Sequence, residues 1–143
     1  MNATIEKFGY PDTLIRAYDH WVVLLRPAQP TLGALVLAAK SEATAFAALP
    51  ADAFAEQAKV IYDIETALSE VVNYEKINYL MLMMVDPYVH YHVIPRYEGA
   101  RSHGELTIRD AGWPKLPDLG ASTTPMVGQR ERLISALQAV WPT

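Results

Sequence analysis

The segment 86–96, D-P-Y-V-H-Y-H-V-I-P-R, constrains the fold more than any other stretch of this chain. It opens with an Asp-Pro turn pair, continues with β-branched and aromatic residues, and meets a second proline near its end. This pattern predicts a strand with a marked start and stop. Because side chains alternate between the two faces of a strand, one face carries a phenol and two imidazoles, those of Tyr88, His90 and His92. Imidazoles about 6.5–7 Å apart at Cα can act on one small group, such as a phosphate.

Composition predicts a single compact domain over residues 1–143. Hydrophobic residues make up 51% of the chain and charged residues 20%, which is ordinary for a compact soluble protein with a proper core. The net charge of −4 argues against a non-specific nucleic-acid binder, which carries a basic face. The chain has no cysteine, which excludes a disulfide framework, a thiol nucleophile and a thiolate metal site.

The apolar runs are too short to place the chain in a membrane. The longest, residues 77–85, contains an asparagine and falls far below the length of a span. The N-terminal residues lack a basic stretch followed by an apolar one, so no signal peptide is expected. We therefore predict a cytoplasmic protein with no membrane partner.

Three apolar runs predict further strands of an antiparallel sheet. Residues 21–25 and 32–39 are joined by P-A-Q-P-T and predict an antiparallel pair. The nearly continuous apolar run 76–85 predicts a strand covered on both faces, paired with 88–94. Residues 1–13 are predicted to be irregular.

Two helices complete the pattern. Residues 51–73 predict a long helix whose apolar stripe is Phe54, Ala58, Ile61, Ile64 or Glu65, Leu68 and Val71. Its opposite, solvated face is predicted to carry Glu56, Lys59, Asp63 and Glu70. Residues 97–124 are rich in Gly and Pro and predict an irregular segment, in which Trp113 packs. Thr124-Pro125 then predicts the start of a final helix, with an apolar stripe of Leu133, Leu137, Val140 and Trp141. The order of elements predicts an α+β fold.

The spacing of His90 and His92 leaves three interpretations open. Both imidazoles can be structural, tied to backbone groups. They can supply two ligands of a metal site, although zinc takes at least three protein ligands and His20 and His103 would have to converge on the pair. They can also act on a phosphate, with one histidine attacking and the other stabilising charge.

The complete string resembles the signature of the histidine triad (HIT) family, H-x-H-x-H-x-x, which often continues with P-R. His90 matches the middle histidine, His92 the last, and Tyr88 stands at the first. Upstream, G-A-L-V-L at 33–37 followed by Lys40 looks like the family's G-H-x-L-V…K strand. K-I-N at 76–78 looks like the K-x-N start of its penultimate strand. The resemblance covers residues 14–96, which would form the core, with residues 97–143 adding the irregular segment and the C-terminal helix.

The resemblance implies a HIT-like fold with an antiparallel sheet of about five strands, one long helix and a C-terminal helix. It also implies a homodimer formed through the helix and sheet. Family members hydrolyse or transfer nucleotidyl groups, for example on dinucleoside polyphosphates and nucleoside phosphoramidates. Carried over, His90 attacks the α-phosphate and forms a covalent nucleotidyl-histidine, while a phosphate favours a protonated His92 that donates to it. No cofactor is required, and Mg²⁺ can arrive with a polyphosphate substrate.

The chain departs from the family pattern at several positions. Tyr88 replaces the first histidine and Ala34 the histidine of G-H-x-L-V, so two supporting imidazoles are missing. The alternative function is therefore a nucleotide-binding module with little or no turnover. The predicted substrate-binding residues are Asn78, Arg96, Arg26 and Lys40. We expect a concave site over His90, and we predict no metal ligand.

Overall fold

A computed structural model describes residues 1–143 and contains a five-stranded antiparallel sheet in the order β1-β2-β3-β5-β4. Its strands are β1 (Leu14–Ala17), β2 (Trp21–Leu25), β3 (Leu35–Ala39), β4 (Lys76–Leu80) and β5 (His90–Arg96). The helices are α1 (Ala3–Lys7), α2 (Ala51–Val72) and α3 (Val127–Ala139), and β6 (Ala100–His103) pairs with β7 (Leu106–Arg109) in a separate hairpin. The predicted α+β class, with one long helix, a C-terminal helix and a sheet of about five strands, is confirmed.

The central strands are covered on both faces, which is why every residue of β2 and β3 is buried. One face packs against α2 and α3 and contributes Trp21, Val23 and Leu25 to the main core. The other face presents Val22 and Leu24 to a smaller cluster built on α1. The sheet is thus the middle of three layers, and its second face lies under the N-terminal segment.

The N-terminal residues form a helix, so the prediction of an irregular segment is wrong. Asn2 caps α1 by accepting a hydrogen bond from the Ile5 backbone N–H at 3.0 Å. The Asn2 amide also donates to the Ala39 carbonyl at 2.9 Å, which ties the start of α1 to the end of β3. Ile5 is fully buried against the sheet. The cap and two buried residues, Thr4 and Ile5, hold a helix that is too short to persist alone.

The predicted bounds of α2 are confirmed to within one residue, and Ile64 and Leu68 of the predicted apolar stripe are buried, but not every member of that stripe is. Its buried side chains are Ala53, Val60, Asp63, Ile64, Ala67, Leu68 and Val72. Phe54 and Ala58, predicted to be in the core, are exposed. Phe54 packs instead beside Phe46, with 5.4 Å between the ring centroids.

Three charged residues assigned to the solvated face of α2, Glu56, Lys59 and Asp63, have structural partners. Asp63 is buried, accepts a hydrogen bond from the Tyr18 hydroxyl at 2.7 Å and pairs with Lys59 at 2.6 Å. Glu56 accepts from the backbone N–H groups of Asp19 and His20 at 3.1 and 2.7 Å. The prediction for this face is therefore wrong at Asp63, because the β1–β2 turn folds over the helix and removes the carboxylate from solvent.

β4 is a half-buried edge strand and not the doubly covered strand predicted over 76–85. It pairs only with β5, and the chain leaves the sheet after Leu80. Met83 then adopts a positive φ of 44°, and Met84 and Val85 are 86% and 82% exposed. One side of an edge strand has no hydrogen-bonded neighbour. Solvent or the backbone of a partner chain can therefore reach β4 from that side.

The segment after β5 is more regular than predicted, because the β6–β7 hairpin occupies residues 100–109. A bridge between Gln29 and Thr123, with N–H···O distances of 2.8 and 3.0 Å, ties the following loop to the β2–β3 turn. α3 begins at Val127, two residues after the predicted proline start, and its predicted core residues Leu133 and Leu137 are fully buried. None of the helices has the length and apolar character that crossing a bilayer requires.

Candidate functional site

His90 is the first residue of β5, and its ring is oriented by the main chain just before the strand. Its Nδ1 lies 2.7 Å from the Tyr88 carbonyl oxygen. Because a carbonyl oxygen only accepts hydrogen bonds, Nδ1 carries the proton and the Nε2 lone pair is left free in the neutral ring. This is the tautomer that a nucleophilic histidine acting through Nε2 requires.

His92 has the opposite hydrogen-bonding pattern. Its Nδ1 accepts a hydrogen bond from Arg26 Nε at 3.2 Å, so the neutral ring carries its proton on Nε2. Burial is the main cause that lowers the pKa of His92 to about 4; electrostatic contributions from Arg26 and the His90 ring act in the same direction, and that of Asp86 opposes them. The ring is thus neutral at pH 7. The prediction of a protonated His92 concerns the ring beside a phosphate, and it stays a prediction; in the chain by itself a guanidinium, and not an acid, contacts the ring.

Phe8, the residue that ends α1, covers both imidazoles. Its ring centroid lies 5.8 Å from that of His90 and 5.5 Å from that of His92, and the two imidazoles pack edge-on at 5.2 Å. Only 2% of His90 and 7% of His92 is exposed. No cavity of the molecule is lined by either imidazole. The expected concave site over His90 is therefore wrong for this conformation, because α1 fills the space above the strand.

Tyr88 contributes to the site through its main chain. It precedes β5, which begins only at His90, so it does not share a strand face with the histidines as predicted. Its phenol is half-buried, whereas its carbonyl sets the tautomer of His90. A backbone carbonyl is supplied by any residue, so this contact to His90 does not depend on the Tyr88 side chain.

Asn78 on β4 and Arg96 on β5, the strand of the two histidines, lie next to each other. Arg96 Nη1 donates to Asn78 Oδ1 at 2.8 Å. Its Nε and Nη2 donate to the two oxygens of Asp110 at 2.7 and 3.2 Å, forming a buried bidentate ion pair. Leu80, on the same face of β4 as Asn78, is the register partner of His92. The two predicted residues therefore share the sheet face of the imidazoles, displaced along the strands.

The other two predicted binding residues differ in position. Arg26 contacts His92 and also lines a small cavity of about 150 Å³, and burial lowers its pKa. Lys40 lies beyond the end of β3, where it borders a surface cavity with Asn2 and Glu42, and it makes no contact with the imidazoles. Ala34 is fully buried, and its carbonyl accepts a hydrogen bond from the Arg26 backbone N–H at 2.9 Å.

Phe8 and Asp110 belong to the site region but were not predicted. Asn2, a preferred cap residue, was the available signal for α1 and hence for Phe8. Asp110 follows the alternating run L-T-I-R of β7, whose pattern indicated a strand ending at an acid. No group of three or more His, Asp or Glu side chains is arranged to hold a metal ion.

Solved structures with the same fold are histidine triad proteins. No protein-family model and no curated protein matches this sequence. A histidine triad protein from Bradyrhizobium japonicum is 19% identical, with a TM-score of 0.71 over 99% of this chain and 97% of its own. One from Sinorhizobium meliloti is 19% identical, with a TM-score of 0.72 over 98% and 95%.

A hypothetical histidine triad nucleotide-binding protein from Sulfolobus tokodaii is 16% identical, with a TM-score of 0.72 over 96% of this chain and 88% of its own. The resemblance inferred from the V-H-Y-H-V-I-P-R string is thereby confirmed at the level of the fold. Nearly the whole chain is matched in each comparison, so the N-terminal and C-terminal segments belong to the same architecture. The chain has the histidine triad fold.

Proposed function

We propose that this protein is a nucleotide hydrolase or nucleotidyl transferase of the histidine triad family, acting at an α-phosphate through a covalent nucleotidyl-His90. The observation that carries the proposal is the hydrogen bond from His90 Nδ1 to the Tyr88 carbonyl. It holds the ring in one orientation and leaves the Nε2 lone pair available for attack. Dinucleoside polyphosphates and nucleoside phosphoramidates are the substrate classes to which this chemistry applies.

In the first proposed step, His90 Nε2 forms a bond to the α-phosphorus as the bond to the leaving group breaks. In the second, a water or another acceptor attacks the same phosphorus, its proton leaves to solvent, and the nucleotide departs from Nε2. The reaction needs no protein-bound metal, and Mg²⁺ would accompany a polyphosphate substrate.

The charge state of His92 favours one kind of leaving group. A neutral imidazole with its proton on Nε2 donates a hydrogen bond to a phosphate oxygen but has no acidic proton to give away. A phosphate chain departs as an anion without a proton, whereas the amine of a phosphoramidate needs one. We therefore place dinucleoside polyphosphates ahead of phosphoramidates as substrates.

A substrate can reach His90 only if Phe8 moves, because the phenyl ring lies over both imidazoles. α1 has five residues and rests on few buried side chains, so its displacement opens the site without unfolding the sheet. Lys7, in the same segment, pairs with Asp86 at 2.7 Å and would be released in the same motion.

The second candidate function is a nucleotide-binding module with weak turnover or none. The observation that favours it is the burial of both imidazoles under Phe8, together with the loss of two supporting histidines at Tyr88 and Ala34.

The two functions are separated by assaying wild type and His90→Asn against dinucleoside polyphosphates and nucleoside phosphoramidates. We expect turnover by wild type and a loss on the order of 10³-fold or more in His90→Asn, with a phosphorus–nitrogen adduct trapped on His90 in wild type only. His103→Asn, on the distant β6 strand, is the matched control and should retain wild-type rates.

Turnover that survives in His90→Asn would remove His90 from the proposed role. Nucleotide bound without turnover by wild type would instead establish the binding module.

A further inference from the structure

A cavity of about 470 Å³ opens between β4 and residues 113–117, and neither imidazole lines it. Alternation along β4 brings Lys76, Asn78 and Leu80 to the face that lines it. Its volume lies within the range of about 300–1,000 Å³ that small-molecule sites occupy. The cavity is thus large enough for a ligand of nucleotide size.

The lining of this cavity is positively charged in a chain whose net charge is −4. It contains Lys76, Arg96 and Lys115, and no carboxylate. Arg96 is balanced by Asp110, but neither lysine takes part in an ion pair within the chain. Two uncompensated ammonium groups around one concave surface favour an anion.

The same lining offers a surface for a planar ring. Trp113 is half-buried beside Pro114 and Pro117. The indole N–H groups of the other two tryptophans, Trp21 and Trp141, donate at 2.8 and 2.7 Å, whereas that of Trp113 has no partner in the chain. An indole with a free donor can stack on an aromatic ring and hydrogen-bond to it at the edge.

The loop that carries Trp113 is held in place by a buried ion pair. Asp110 Oδ1, which accepts from Arg96, also accepts from the Gly112 backbone N–H at 3.2 Å. The Asp110 carbonyl accepts from the Trp113 backbone N–H at 3.3 Å. Because Arg96 belongs to β5, this network fixes the loop to the sheet and preforms the cavity before any ligand arrives.

We propose that the cavity between β4 and residues 113–117 binds an aromatic ring that bears a phosphate group, with the ring against Trp113 and the phosphate at Lys76 and Lys115. Leu80, the register partner of His92, lies at one end of the cavity, so the site adjoins the histidine strand, but neither imidazole lines it. It stands on its own geometry and does not depend on His90 acting as a nucleophile.

The test is calorimetric titration of the full chain with AMP, phenyl phosphate, adenosine and inorganic phosphate. We expect AMP or phenyl phosphate to bind, and adenosine and inorganic phosphate to bind at least about tenfold more weakly, since each lacks half of the recognised group. Binding of AMP alone assigns a nucleotide as the ligand, and binding of both assigns aromatic phosphates in general. If neither binds at millimolar concentration, the proposal is wrong.

Variants locate the bound ligand. Lys76→Ala with Lys115→Ala should weaken binding by about tenfold or more, and the loss should shrink at high salt. Trp113→Ala should weaken binding at all salt concentrations. The matched control is Arg109→Ala, which removes an exposed cation on β7 that lines no cavity.

Two results would overturn the assignment. One is an equal loss of affinity in Arg109→Ala and in the lysine variant, which would indicate only a general charge effect. The other is loss of binding in His90→Asn, which would place the ligand at the imidazoles. A wild type that binds AMP but turns over no nucleotide, with AMP binding unchanged in His90→Asn, retains this site while the proposed function fails.

Discussion

His90 and His92 lie two positions apart on one strand, yet the fold gives them different protonation patterns. The Tyr88 carbonyl makes Nδ1 the donor in His90, whereas Arg26 makes Nδ1 the acceptor in His92. Burial, aided by the neighbouring guanidinium of Arg26, then lowers the pKa of His92 to about 4. The pair therefore offers one free lone pair and one Nε2–H donor at neutral pH.

The lowered pKa predicts a stability loss in mild acid. An unfolded histidine binds its proton near pH 6.5, while His92 in the folded chain does so only near pH 4. Between those values the unfolded state holds more protons, so stability falls as pH decreases from about 6.5 toward 4, by about 2 kcal/mol at pH 5. Urea unfolding of wild type and His92→Gln at pH 7 and pH 5 measures this change in the free energy of unfolding. The variant should lose less stability than wild type over this range. Equal losses in the two proteins would show that His92 does not titrate in this way.

At the scale of the elements, α1 decides whether the histidine strand is accessible. The helix is short, but its cap on Asn2 and the buried Ile5 place Phe8 over both rings. The strand itself is rigid, because β5 is hydrogen-bonded to β3 on one side and to β4 on the other. Access to His90 is thus controlled by a short element that lies outside the sheet.

Phe8→Ala should expose the imidazoles. We expect His90 to react with diethyl pyrocarbonate on the order of tenfold faster, at a cost of about 1–2 kcal/mol in stability for a half-buried phenyl ring. Mass spectrometry of the modified peptide measures the rate. Phe46→Ala, on the opposite side of β5 against Tyr91, is the control and should leave the rate unchanged. An unchanged rate in Phe8→Ala would mean that the ring does not limit access.

At the scale of the whole molecule, the free edge of β4 and the residues after it form an unpartnered apolar surface. Leu82, Met84 and Val85 are 50%, 86% and 82% exposed, directly beyond the edge strand. Tyr62, on the outer side of α2, is 64% exposed. A bare strand edge next to exposed apolar side chains is a site for pairing with another chain. We propose that a second copy covers it, as the family resemblance implies.

A dimer formed through this surface should dissociate when charge is added to it. We expect wild type to have twice the 15.9 kDa mass of the chain in light scattering after gel filtration, and Met84→Glu with Val85→Glu to be a monomer. The control is Met126→Glu, which adds a charge at another exposed apolar residue, the one before α3. Met126 is 69% exposed and lies outside the proposed interface, so this variant should remain dimeric. A monomeric wild type at tens of micromolar would contradict the proposal.

Local sequence patterns were sufficient to predict the helices and strands whose spacing of apolar residues lies within one stretch of the chain. The apolar runs at β2 and β3, the long helix and the alternating histidine strand were all predicted near their observed positions. The errors fell where burial depends on a distant segment. β4 ends at Leu80 because it lies at the edge of the sheet, and Asp63 is buried because Tyr18, 45 positions away, reaches it.

The sequence by itself determined the class of fold and the histidine pair, because alternation and helical periodicity are properties of neighbouring residues. Only the tertiary structure decided what surrounds the pair. Phe8 reaches it from the N-terminal helix, and Arg26 contacts His92 from 66 positions away in the sequence. Desolvation and the fields of neighbouring charges set the chemistry of an imidazole, and both depend on which elements pack together in three dimensions.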